Sequence, residues 1–168
     1  MITHPVRHTY PSKFHPSQAL RSYPVDSAQA KARLVVLALL ADGELDKHEL
    51  ERLEARGVYA SLGLSREEFV GVLFDFCSDA AHLPDRQGSF HLTPAVMDRL
   101  LAEIDRPEAR KAMMRLIFNV ISSDGKLAEG EERLFWSAVD AWHLRISDLT
   151  RPTVVDAASR PPPEYFYG

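Results

Sequence analysis

Residues 33–45, RLVVLALLADGEL, and residues 115–127, RLIFNVISSDGKL, decide the fold, because each is an apolar run closed by Asp-Gly with a leucine two positions after the glycine. In the first run Ala30, Leu34, Leu37, Ala38 and Ala41 recur at helical spacing. Val35, Val36, Leu39 and Leu40 thicken that stripe, which predicts a central helix buried on most sides. Gly43 can take the left-handed geometry that ends a helix. Shifting the chain by 82 (124 minus 42) superimposes the two runs. The same shift pairs Glu49 with Glu131, Leu62 with Leu144, Leu64 with Ile146 and Ser65 with Ser147. The matches follow positions that build caps and turns, so they predict an internal duplication of a helix-AspGly-helix unit.

Cap chemistry extends the reading outward. Asp26 or Ser27 opens the first helix, with Gln29 completing a capping-box pattern after Asp26, and Asp46 with Glu49 opens a second running to about Ser61. Gly63 then closes it, and Ser65 with Glu68 opens a third whose core face is Phe69, Val72, Leu73 and Phe76, with Cys77 as a small core residue rather than a nucleophile. His82 to Leu92 is a turn-rich connection separating two halves, and Thr93-Pro94 is an N-cap with proline at the first helical position. Further helices follow over roughly Pro107 to Ser123 and Leu127 to His143, with a short one after Ser147. No stretch shows the period-two alternation of strands, so the fold class is all-α, a bundle of six to seven helices.

The flanks differ in character. Residues 1–25 read as an extended N-terminal arm, either loose or packed across the helices through Tyr10, Phe14 and Tyr23; residues 26–158 hold the helical domain. Residues 159–168 form a Pro/aromatic tail ending in Tyr165-Phe166-Tyr167, which either docks a partner or folds back on the bundle.

With 168 residues, 45% apolar and 26% charged, the chain has the composition of one folded domain. A net charge of -4 and a pI near 6.0 argue against a nucleic-acid partner. One cysteine forms no internal disulfide, and no secretory signal is visible, so the expected location is cytoplasmic. The most apolar run, Leu34 to Ala41, falls far short of the roughly 20 residues of a membrane span, so no direct membrane insertion is expected.

Asp42-Gly43-Glu44-Leu45-Asp46-x-x-Glu49 matches the second half of a calcium-binding EF-hand loop, but the first and third places would be Ala38 and Leu40, or Val120 and Ser122 in the second copy. A conventional EF-hand is excluded. The remaining metal reading is one shared site: Asp42, Glu49, Asp124 and Glu131 converging as hard oxygen ligands for Ca²⁺, Mg²⁺ or Mn²⁺. The structural alternative has the aspartates bracketing turns and the glutamates complementing helix N-termini. No HExxH, GxSxG, P-loop or GxGxxG is present, the histidines read as solvated, and no catalytic residue is assigned.

An apolar helix ending in (A/S)-D-G, a hydrophobic residue two positions on and a glutamate six positions after the glycine, occurring twice, resembles the TerB family of tellurite-resistance proteins and the related N-terminal domain of the DjlA co-chaperones. The resemblance covers residues 26–158. A DjlA-like protein would add a membrane helix and a J-domain with His-Pro-Asp, whereas His15-Pro16 is followed here by Ser17. The resemblance implies a non-catalytic, intracellular stress-response module with protein partners in a membrane-associated complex, offering acidic residues to a metal. The alternative is a metal-free, chaperone-associated interaction adaptor.

Overall fold

The computed structural model describes residues 20–41, 45, 47–82, 92–122 and 129–150, with the backbone alone at 148 and 150. Eight helical segments, and no strand, occur among them: α1 (Ala28–Leu39), α2 (Lys47–Ala55), α3 (Val58–Leu62), α4 (Arg66–Ala80), α5 (Pro94–Ala102), α6 (Pro107–Ile121), α7 (Glu129–Ala141) and α8 (Ile146–Thr150). The all-α bundle expected from the sequence is the observed architecture.

Helix α1 is the axis of the bundle. Ala30 and every residue from Ala32 to Leu39 are buried, as the thickened stripe requires, and α1 packs against α4, α6 and α7 with lesser contacts to α3 and α5. Its cap is Ser27, whose Oγ accepts from the Ala30 amide at 3.1 Å. Asp26 is therefore not the N-cap of its own helix. With φ of 60° it turns its carboxylate onto the start of α6, where Oδ1 accepts from the Asp105 amide at 3.1 Å and Oδ2 from the Arg106 amide at 3.3 Å. Arg106, the N-cap residue of α6, brings no side-chain cap of its own, and Asp26 instead holds the two amides that lead into the helix.

The helix expected from Asp46 to Ser61 is interrupted. Gly57 takes the left-handed conformation, φ 68°, between α2 and α3, and its amide bonds back to the Glu54 carbonyl at 2.9 Å. Past the break Val58, Tyr59 and Leu62 turn into the core, while α2 buries only Leu53. Tyr59 packs its ring against Phe69 at a centroid distance of 4.8 Å and donates its hydroxyl to the Leu50 carbonyl at 2.9 Å. The break thus splits one expected helix into two and carries the count to eight.

The remaining punctuation follows cap chemistry. Ser65 and Glu68 form the reciprocal capping box at the start of α4, and Phe69, Val72, Leu73 and Phe76 are buried along it. Thr93 caps α5 through its hydroxyl, with Pro94 in the first turn. Gly63 closes α3 in a Schellman turn: its amide bonds to the Ala60 carbonyl and that of Leu64 to the Tyr59 carbonyl. His143, φ 52°, closes α7 the same way, its amide reaching Asp140 and that of Leu144 reaching Val139.

The two turns are not related by the constant shift of 82 read from the sequence. The ends of α1 and α6 and the starts of α2 and α7 are 82 apart (121 minus 39; 129 minus 47), but the Schellman residues Leu64 and Leu144 are 80 apart. The starts of α4 and α8 keep the shorter offset (146 minus 66). The stretch from Lys47 to Leu64, the one broken at Gly57, is two residues longer than that from Glu129 to Leu144.

Candidate functional site

Of the four carboxylates expected to share an ion, Asp42 and Asp124 lie outside the described residues. Glu49 and Glu131 stand in the first turns of α2 and α7, both half-buried, and neither is without a partner. The first turn of α7 also carries Glu129 and Glu132, a charge distribution that complements the helix N-terminus. Between Glu129 and Glu131 sits Gly130, at the closest backbone approach that any described glycine makes. A Cβ placed on it would lie 3.0 Å from the Ala41 carbonyl carbon, 3.1 Å from the Ala41 Cβ, and nearer still to the carbonyl oxygen. The start of α7 therefore rests directly on the chain leaving α1. Ala41 precedes Asp42 and Gly130 precedes Glu131 in the sequence. Among the described residues no three His, Cys, Asp or Glu side chains are grouped closely enough to hold a metal ion. His48 is exposed, with Nδ1 3.5 Å from the Glu51 carboxylate.

The most elaborate polar arrangement, which the sequence motifs do not announce, gathers around Arg33. This side chain is 2% exposed in the middle of α1 and forms a buried ion pair with Glu103. It also donates to the Arg21 carbonyl and lies 4.7 Å from the centre of the Tyr23 ring, a cation–π distance. Glu103 in turn accepts from the Tyr23 amide, and the Glu103 carbonyl accepts from the Asp26 amide at 2.8 Å. Residues 20–26 are thereby strapped across α1, α4 and α5. Leu20 is buried; Arg99 donates to its carbonyl and to the Ser22 hydroxyl; Arg21 grips Asp79 through two side-chain bonds of 2.9 Å and Asp75 at 2.6 Å. A lone arginine amid Ala32, Leu34 and Val35 is the signal the sequence does offer, since a charge in a buried helix demands a partner.

The carboxylates of this arrangement are tuned by it. Desolvation pushes Asp79 upward, but the Arg21 side chain and amide outweigh it and hold the carboxyl below its ordinary value. Desolvation likewise pushes Asp26 upward, and the amides of Asp105 and Arg106 with the Arg106 guanidinium overcome that push and hold it low. Burial raises the Tyr23 hydroxyl. Burial also pushes the Cys77 thiol up, which leaves little thiolate at neutral pH and fits a packing role.

Two further features lie on the surface. An open groove of about 530 Å³ runs between α5 and α7, walled by Met97 and Asp98 on one side and Arg133, Ser137 and Asp140 on the other. Phe118 of α6 and Phe135 and Trp136 of α7 form an aromatic cluster, with ring centroids 6.0 Å apart for Phe118 and Phe135 and 5.4 Å apart for Phe135 and Trp136. Among the described residues no helix is long and apolar enough to cross a membrane. Compared with known protein families, curated proteins and solved structures, the chain matches none.

Proposed function

We propose that the chain is a non-catalytic, TerB-like stress-response module in which two copies of a helix-AspGly-helix unit share one divalent cation, with Asp42 and Glu49 contributed by the first copy and Asp124 and Glu131 by the second. The observation that carries this reading is the approach of Gly130 to Ala41, which joins the two halves at the residues immediately before Glu131 and Asp42 with no side chain between them. The duplication draws support from the Schellman turns at Gly63 and His143 and from the matched starts of α2 and α7.

Carboxylates of this kind suit Ca²⁺, Mg²⁺ or Mn²⁺ better than softer metals, and four like charges gathered on one turn pair favour a bound cation. The ion's part is structural: it holds the two turns together, and protein partners of a membrane-associated complex would read the resulting surface. Calorimetric titration of the chain with CaCl₂ and with MnCl₂ tests this. Heat of binding is expected for the native chain and none for Asp42→Ala with Asp124→Ala, circular dichroism confirming that the variant keeps its helices. Equal heat from both proteins, or none from the native chain, overturns the reading.

A further inference from the structure

We propose that Tyr165-Phe166-Tyr167 docks in cis on the aromatic cluster of Phe118, Phe135 and Trp136, so that the tail covers an interaction surface between α6 and α7. This goes beyond the cation reading and requires no metal. Phe118 is 51% exposed and Trp136 44%, and the nearly buried Phe135 joins them, stacked edge-on against Trp136 with an interplanar angle of 85°. Phe74 and Val25 stand singly, whereas Phe118 and Trp136 are joined through Phe135 into one partly exposed aromatic cluster. Ring faces and edges left open in this way favour further aromatic partners in offset or edge-to-face geometry.

Chain length and charge name the occupant. Helix α8 packs on α6, the helix that carries Phe118, and ends at Thr150, fifteen positions before Tyr165. Fifteen residues span at most about 50 Å, more than the width of a domain of this size, about 35–40 Å, so from α8 the triplet reaches the neighbouring α6–α7 face. Pro161-Pro162-Pro163 favours an extended spacer, and tethering of this length gives an effective concentration near the millimolar range, well above that of a second copy in solution. Arg56 donates to the carbonyl of Asn119, the residue after Phe118, at 3.1 Å, which puts an exposed guanidinium on α6, and Glu164 immediately precedes the triplet with the opposite charge.

The chain's two tryptophans supply the readout. Trp142 is 5% exposed and donates its indole N–H to the Leu101 carbonyl at 3.0 Å, so collisional quenching by acrylamide reports on Trp136. In the full chain, Tyr165→Ala, Phe166→Ala and Tyr167→Ala together are expected to raise the quenching constant two- to threefold and to red-shift the emission. A synthetic PPPEYFYG peptide added in trans at millimolar concentration restores protection, and Phe118→Ala alone reproduces part of the loss. Identical quenching in the native and triple-alanine chains overturns the proposal. So does protection that fades on dilution while the native chain sediments as a dimer, because the occupant is then the tail of a second copy.

Discussion

Replacing Gly130 with alanine tests the contact on which the arrangement of the two halves depends. The added Cβ would meet the Ala41 carbonyl carbon at 3.0 Å and its Cβ at 3.1 Å, against an optimum of about 3.5–4.0 Å for carbon pairs. The opposing atoms are backbone and a methyl group on the central helix's exit, so neither can rotate away, and with the Ala41 carbonyl oxygen nearer still α7 must retreat by about 1 Å. Overpacking of this kind costs about 1–3 kcal/mol, and the better helix propensity of alanine returns less than about 1 kcal/mol. A net loss of about 1–2 kcal/mol lowers Tm by about 2–8 °C for a domain of this length. Gly71 provides the control: it lies inside α4, is exposed, and an added Cβ there would meet nothing within 4 Å. At that position the same substitution gains about 0.5–1 kcal/mol and raises Tm by about 1–4 °C. Thermal melts followed by circular dichroism at 222 nm read both variants. A Gly130→Ala chain as stable as the native protein, or shifted in the same direction as Gly71→Ala, refutes the close approach.

Other expectations follow from the polar strap and the caps. Arg33→Met leaves Glu103 buried without its partner and should cost about 3–5 kcal/mol in urea unfolding; adding Glu103→Leu should recover part of that, and a loss below about 1 kcal/mol for the single variant contradicts the buried pair. Asp26 and Asp79 have carboxyls depressed below the unfolded value of about 3.9, so the unfolded chain binds more protons in this range and stability rises with pH. Their contribution is whole above about pH 5 and is lost as pH falls through the folded values. Urea midpoints measured from pH 5 to pH 2 should fall steeply, and less steeply for Asp79→Asn; equal slopes would contradict the strap's role. Ser65→Ala removes the hydroxyl that accepts from the Glu68 amide at 3.2 Å and should cost about 1 kcal/mol, a loss absent if α4 were capped by other means.

The bundle is legible in the sequence because its signals are local. The stripe from Ala30 to Ala41 announces a buried axis, and Ser65 with Glu68, Thr93 with Pro94 and Gly63 each mark a boundary through one side chain or one backbone conformation. What escapes are features that depend on residues far apart in the chain. Gly57 passes for one more residue of a long helix, because a glycine at its position signals a break only when the residues after it must face a core set by α4. Asp26 has the spacing of a cap for the nearest helix, yet its carboxylate serves amides some eighty positions on. Arg33 and Glu103 are separated by 70 residues, and nothing at either site names the other. The candidate site is legible only as a set of residue types: Glu49 and Glu131 stand in corresponding first turns, while Asp42 and Asp124 lie outside the described residues. Gly130 is the clue that local patterns pass over, a glycine flanked by glutamates in a first helical turn, where only a close backbone approach gives its missing side chain a purpose.

Counting bound Mn²⁺ by electron paramagnetic resonance tests the shared cation most directly. One ion per chain is expected at saturation, with none retained when either Asp42→Ala or Asp124→Ala is made alone, because each half supplies only part of the donor set. Two ions per chain, each lost with its own aspartate, would describe two independent sites and contradict a single ion held between the halves, as would the absence of bound Mn²⁺ from the native chain.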